Sequence, residues 1–362
     1  MTALSPRAIN RATLARQLLL ERRQAGPVEA VGRLAGMQGQ EPKHPYVGLW
    51  SRLESFEEGH LTQAVEDREV VRATMFRGTL HLVTAEDYLR FRTSLSPVLE
   101  AGLRMLGDRA GGLEPEKVVA AARKLLAKEP LTFTEVRDAL IKEFPDVNDR
   151  ALGFTTRMMV PLVMYPSDTR WAWTANARFT PAEEWLGAKI HPSAVPGELV
   201  LRYLAAFGPA TPADFQTWSG LPKAKPLFDQ LELEQFTDEA GKTLYDVPEA
   251  PRPDPDTPAP VRFLPEFDNL LLAHAKRERI IADEHRPAVF TKNLRVRSAY
   301  TVDGLVAGLW VSERKRGVAT LTLTPFGRTL KKTAVELERE GAALLRFLEP
   351  DAKTYNVVTA GQ

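Results

Sequence analysis

Residues 114–174 read EPEKVVAAARKLLAKEPLTFTEVRDALIKEFPDVNDRALGFTTRMMVPLVMYPSDTRWAWT, and their grammar decides the fold. A helical run over Glu116–Lys128 comes first. Thr132 then caps a second helix, Glu135–Phe144, through the spacing Thr-x-x-Glu, and Asn148-Asp149 opens a third. The third run gives way to PLVMYPSDTRWAWT, two short strands around a Ser-Asp turn. Three helices followed by a β-hairpin is the order of a winged helix. The order returns at residues 196–247. There Glu198–Phe207 gives one helix, Ala210-Thr211-Pro212 starts another through Trp218, Leu221–Leu231 gives a third, and QFTDEAGKTLYDV turns at Ala240-Gly241. A pattern that recurs after about 80 residues carries more weight than either copy alone.

Before this stretch, Ser5-Pro6 starts an amphipathic helix of about fifteen residues through Leu14, Leu18 and Leu19. Gly26-Pro27 breaks it, and apolar positions over Val28–Met37 predict a second helix with Gln38 at its end. An apolar run, Tyr46–Leu53, follows, and TMFRGTLHLV at residues 74–83 predicts a strand or short hairpin. Beyond residue 247, six prolines in PEAPRPDPDTPAP exclude helix and central strand, leaving an extended connector. Residues 295–325 predict strands around a tight SERKRG turn, and a final helix runs from about Gly327 to Leu348. The expected fold is α+β: tandem winged-helix (helix-turn-helix) units over residues 1–112, 113–192 and 193–260, then a mixed α/β extension over 261–362 that carries a basic β-hairpin.

With 362 residues and 44% hydrophobic content, the chain can bury a large core in two or three structural units. No run approaches the roughly 18 apolar residues of a membrane span, and the N-terminus lacks an apolar signal region, so the cytoplasm is the expected location. The absence of cysteine excludes disulfides, thiol nucleophiles and thiolate metal sites. The net charge of +1 hides an asymmetry. Residues 276–332 hold 13 Lys and Arg against 5 Asp and Glu, a net of +8, so the remainder sums to −7. That segment is a candidate electrostatic footprint for nucleic acid, or simply a basic surface.

The usual enzymatic signatures are missing: no Walker loop, no strand-borne GxGxxG, no HExxH, no nucleophile-elbow GxSxG. The six histidines, at positions 44, 60, 81, 191, 274 and 285, show no metal-ligand spacing, so neither metal nor cofactor is expected. What remains is the segment MQGQEPKHPYVGLW, residues 37–50, with Gln38 and Gln40 at a proline-rich bend. Such a bend lets polar side chains converge on a ligand; the alternative is a pair of solvated glutamines.

This segment, RGTLHLVTAEDY at 77–88, FLPEFDNLLLAH at 263–274 and DGLVAGLW at 303–310 together resemble, in the expected order, the AlkZ-type winged-helix DNA glycosylases. That family removes alkylated bases and unhooks interstrand crosslinks. The resemblance implies that the family's catalytic Gln-aliphatic-Gln motif falls on Gln38, Gly39 and Gln40. Glycine replaces the aliphatic residue, which frees the loop and leaves both amides in place. A sister branch carries an acidic residue at the second position, and Gln40 places this chain in the Gln/Gln branch. The implied activity is monofunctional hydrolysis of the N-glycosidic bond of N7-alkylated purines, bulky adducts and crosslinks included. The implied partner is double-stranded DNA containing alkylated bases, bound by a monomer. Neutral amides suit this chemistry, because a cationic base is already an activated leaving group. Glu41 is a second candidate base. The family's DNA-engaging hairpin corresponds here to the turn bearing Arg314, Lys315 and Arg316. The competing function is a non-catalytic winged-helix regulator, which ordinarily requires a dimer to read two half-sites.

Overall fold

A computed structural model describes residues 2–360. The architecture is mixed α+β, with three sheets tied together by helices. Residues 114–181 fold as helix Pro115–Leu126, strand Leu131–Thr132, helices Phe133–Glu143 and Asp149–Met159, and strands Leu162–Met164 and Arg178–Pro181. Local caps set these boundaries. Thr132 and Glu135 form a reciprocal capping box, and the Asn148 side chain accepts from the N–H groups of Arg150 and Ala151.

Residues 196–247 repeat the order with helices Pro196–Phe207, Pro212–Ser219 and Lys225–Asp229 and strands Glu234–Asp238 and Thr243–Asp246. The third helix is shorter than the 221–231 span expected, because Lys223 adopts a left-handed φ of 56° before it. A strand not foreseen, Thr2–Leu4, joins this hairpin in parallel with Glu234–Asp238. The first helix spans Pro6–Arg16, eleven residues rather than about fifteen, and Leu18 at φ 56° closes it.

Gln38 lies in a short strand rather than at the end of a helix. The second helix covers only Pro27–Arg33, and Ala35 and Gly36 follow with φ of 53° and 82°. Apolar spacing continues through Met37, so periodicity alone extends the helix too far. The left-handed turn at Ala35 and Gly36 ends it, with the Gly36 N–H donating to the Val31 carbonyl at 2.9 Å, and Gly36 has no room for a side chain, since a Cβ there would lie 2.7 Å from Val83 Cγ1 and 3.1 Å from the Leu82 carbonyl. Met37–Gln38 is therefore a short strand, antiparallel to Leu80–Thr84, with Gln38 opposite His81. Leu80–Thr84 also pairs with Val70–Thr74, so TMFRGTLHLV is the heart of a hairpin that turns through Arg77 and Gly78, with φ of 55° and 72°.

One six-stranded sheet takes strands from either side of residue 112, joined at Ala73 and Val163. A common core covers it. Tyr46, Leu49, Leu61 and Leu82 pack in one cluster with Val118, Leu140, Leu152 and Trp173. A second cluster joins Phe76, Val83 and Leu99 to Tyr203, Phe207 and Trp218, with the Phe76 and Trp218 rings 4.0 Å apart. The connector 248–260 contains no helix or strand. The C-terminal sheet comprises strands Arg262–Leu264, Ala299–Val302, Leu305–Lys315, Val318–Pro325 and Thr354–Thr359. The last of these is a parallel strand absent from the sequence reading, and the preceding helix begins at Lys331. No helix among the described residues is long and apolar enough to cross a membrane.

Candidate active site

Three elements distant in sequence meet at the Gln-Gly-Gln segment: the 70–84 hairpin, the C-terminal end of helix Pro212–Ser219, and residues 265–272. Gln38 is buried. Its backbone N–H donates to Asn269 Oδ1 at 3.1 Å, and its side-chain Oε1 accepts from Arg77 Nη2 at 2.6 Å. Gly39 donates to the Leu80 carbonyl at 2.9 Å and its own carbonyl accepts from Arg72 Nε at 2.7 Å. Arg72 Nη2 donates to the Gln40 carbonyl at 2.8 Å. The backbone of the motif is thus pinned at both sides, and the freedom expected of a glycine at position 39 is not expressed. Gln40 itself is exposed, with no side-chain hydrogen bond among the described residues. The two amides therefore differ in setting, one fixed and one free to meet a ligand.

The pinning side chains are costly to bury and are placed where the fold compensates them. Arg72 lies over the face of Trp173 at 5.6 Å, with Nη1 unpartnered. Burial pushes its pKa down to about 10, against the raising influence of Glu41. Arg77 splits its guanidinium between Gln38 and the Trp218 carbonyl near the end of helix Pro212–Ser219. Helix ends of that kind carry partial negative charge and suit a cation. Burial, with help from Arg277, brings its pKa down to about 10 as well.

FLPEFDNLLLAH supplies the opposite wall. Asp268 and Arg52 form a fully buried, bidentate pair at 2.8 and 2.9 Å, and the same Asp268 caps the short helix that begins at Asn269. Asn269 uses both ends of its amide, donating to the Gly36 carbonyl while accepting from Gln38. Between these walls lies a water-sized cavity of about 10 Å³ bordered by Gln17, Met37, Gln38, His44 and Asn269. A larger cleft of about 750 Å³ lies beside helix Lys331–Leu348, away from the glutamine motif. His81, cross-strand partner of Gln38, is buried edge-on to Phe76, and its Nδ1 meets the Thr79 carbonyl at 3.0 Å. Burial, then Arg77, lowers its pKa to about 3, so the ring is neutral. Glu41 is exposed and forms no ion pair among the described residues. No group of three or more His, Asp or Glu among those residues is placed to hold a metal ion.

The basic hairpin differs in detail from the expectation. Strand Leu305–Lys315 includes Arg314 and ends at Lys315, and the turn itself is Arg316-Gly317, with φ of 50° and 82°. Arg314 reaches Glu349 at 3.5 Å and the Asp351 carbonyl at 3.0 Å, and Lys315 pairs with Glu313 at 2.7 Å. Arg316 is exposed without an ion pair among the described residues. The basic excess of 276–332 is partly consumed inside the fold. Arg279 donates to the Pro209 carbonyl at 2.9 Å and lies near Asp214, and Arg295 is bound to Glu266 at 2.5 Å. Sequence reasoning singled out Gln38 and Gln40 and missed Arg72, Arg77 and Asn269. The last two stand inside quoted segments, but only the tertiary fold brings them to the glutamines.

Over most of its length the chain is similar to known DNA glycosylases. The family model described as DNA glycosylase AlkZ-like matches residues 31–347. An interstrand DNA cross-link repair glycosylase of Streptomyces sahachiroi is 27% identical over 356 residues, which span 91% of this chain and 93% of that protein. The solved structure of Streptomyces sahachiroi DNA glycosylase AlkZ superposes with a TM-score of 0.80 at 24% identity, covering 99% of this chain and all of the other.

Proposed function

The chain belongs to the AlkZ-like DNA glycosylase family, and from that premise we propose that it hydrolyses the N-glycosidic bond of cationic N7-alkylated purines in duplex DNA. Bulky adducts and interstrand crosslinks fall within the proposed range, the latter in keeping with the cross-link repair glycosylase of Streptomyces sahachiroi. The helix-rich repeats at 115–181 and 196–246 are read as winged helices that bring the monomer onto DNA. In the proposed step, a water oxygen bonds to C1′ as the bond from C1′ to N9 breaks. The electron pair of that bond neutralises the positive base, which leaves without needing a proton, and the water's surplus proton passes to solvent.

Gln38 and Gln40 are the proposed catalytic residues. A glutamine amide holds a water through donor and acceptor, and its dipole supports the oxocarbenium-like sugar without acting as a strong base. The observation that carries the reading is the pinned Gln-Gly-Gln backbone, which presents one fixed and one exposed amide. Neutral, unmodified bases are accordingly poor substrates. Arg314, Lys315 and Arg316 are the proposed phosphate contacts on the hairpin.

The test is single-turnover release of N7-methylguanine from a defined duplex by wild type and by a Gln38→Ala, Gln40→Ala double variant of matched DNA affinity. Release that collapses in the variant supports the assignment. Full release by the variant removes both glutamines from the chemistry.

A further inference from the structure

Arg77 occupies an unusual position. Its backbone is left-handed, at φ 55°, in the turn that closes the 70–84 hairpin. L-residues other than Asn and Gly rarely adopt that region, so the conformation is held by its surroundings. The following Gly78 is also left-handed at φ 72°, and Gly220 packs so close that a Cβ on it would lie 3.3 Å from Arg77 Cα. The result is a long cation threaded inward between the Trp218 carbonyl and Gln38 Oε1, at 2.6 Å from the latter. No carboxylate pairs with it among the described residues.

That contact settles the orientation of the glutamine. A guanidinium only donates, so the Gln38 atom facing it is the carbonyl oxygen, and the amide nitrogen is turned away with no partner among the described residues. The charge of Arg77 also draws electron density toward Oε1 and makes the Nε2 hydrogens better donors. Left free, the amide would have two nearly isosteric settings, one of which offers an acceptor in place of a donor.

We propose that Arg77 is a positioning residue of the glycosylase reaction, locking the Gln38 amide so that Nε2 donates to one lone pair of the attacking water and leaves the other aimed at C1′. Gln40, which has no such neighbour, then supplies the acceptor. The proposal rests on the assignment of Gln38 to catalysis.

A thermodynamic cycle tests it, using Gln38→Ala, Arg77→Gly and the double variant. Glycine suits a φ of 55°, so Arg77→Gly removes the side chain without backbone strain. The expected result is a fall in single-turnover N7-methylguanine release of about ten- to a hundredfold, the scale on which groups that orient a reacting side chain act. DNA affinity stays unchanged, the double variant is no slower than Gln38→Ala, and millimolar guanidinium restores rate to Arg77→Gly but not to the double variant. Arg77→Met, which keeps a long stem at the same backbone conformation but carries no donor, covers the case in which the glycine variant does not fold; it should show the same rate loss at unchanged affinity. Full activity in either variant, or losses that multiply in the double variant, overturns the proposal. If Gln38→Ala is fully active, the reading of Gln38 falls instead; if it is dead while Arg77→Gly is intact, only the role of Arg77 falls.

Discussion

The side chain of Asn269 holds the backbone of Gln38 from 231 residues away, accepting its N–H at 3.1 Å and donating in turn to the Gly36 carbonyl. Both bonds are buried, so each partner left alone costs about 1–3 kcal/mol. Asn269→Asp is the sharper substitution, since it keeps the acceptor for Gln38 but sets a carboxylate oxygen against the Gly36 carbonyl. It should lower unfolding free energy by about 2 kcal/mol and slow base release. Urea unfolding and single-turnover release together check this; an aspartate variant as stable and as active as wild type would remove Asn269 from the support of the motif.

The capped helices of residues 115–159 are legible in the sequence because their signals are local: Thr132 with Glu135, and Asn148 ahead of Asp149. The α+β class follows from the same order of elements. The end of the second helix is not legible, because the apolar period runs on through Met37 while the stop is a left-handed turn that starts at Ala35, a residue type that does not announce it. Strands Thr2–Leu4 and Thr354–Thr359 escape for a related reason. Each is short and pairs in parallel with a remote strand, so nothing beside it in sequence announces it. The site divides the same way. Gln38 and Gln40 stand out as a motif, whereas Arg72 and Arg77 look like ordinary surface arginines until the hairpin folds them inward.

Gly39 is explained by contacts rather than by flexibility. A Cβ at this position would lie 3.2 Å from Pro45 Cγ and 3.6 Å from Arg72 Nε. Its φ is not in the left-handed region, so the backbone tolerates a side chain. Gly39→Ala should cost under about 1 kcal/mol, with Pro45 yielding slightly. Gly39→Val should displace Arg72 and slow release several-fold, even though an aliphatic residue is the family pattern at this place. A valine variant with wild-type rate and melting temperature would show that Arg72 does not depend on the small residue.

Stability should fall on mild acidification. His44 and His81 are buried, and their pKa values are pushed down to about 3, chiefly by burial. An unfolded histidine titrates near 6.5, so between about pH 3 and 6.5 the unfolded chain binds more protons than the native one. The stability due to keeping these rings neutral is therefore fully present above about pH 6.5 and is lost as pH falls; at pH 5 the loss is about 2 kcal/mol per ring. His274 shifts in the same direction, again from burial. Urea unfolding from pH 8 to pH 5 should show the decline, and His44→Asn should flatten it by about one proton. Equal stability at the two ends of that range would contradict the buried neutral assignment.

The hairpin cations should not contribute equally to DNA binding. Arg314 is held by Glu349 and the Asp351 carbonyl, and Lys315 by Glu313, while Arg316 sits at the turn without an acidic partner among the described residues. A phosphate that takes Lys315 must compete with Glu313, whereas Arg316 is available at no such cost. Arg316→Ala should therefore weaken duplex binding at low salt and reduce the slope of log affinity against log salt by about one. Lys315→Ala should act less through a lost contact than through the uncompensated Glu313, and Glu313→Gln should strengthen binding. Fluorescence anisotropy over a salt series reads all three slopes. If Arg316→Ala leaves both affinity and slope where they were, the turn does not touch the phosphates and the basic hairpin is a solvated surface.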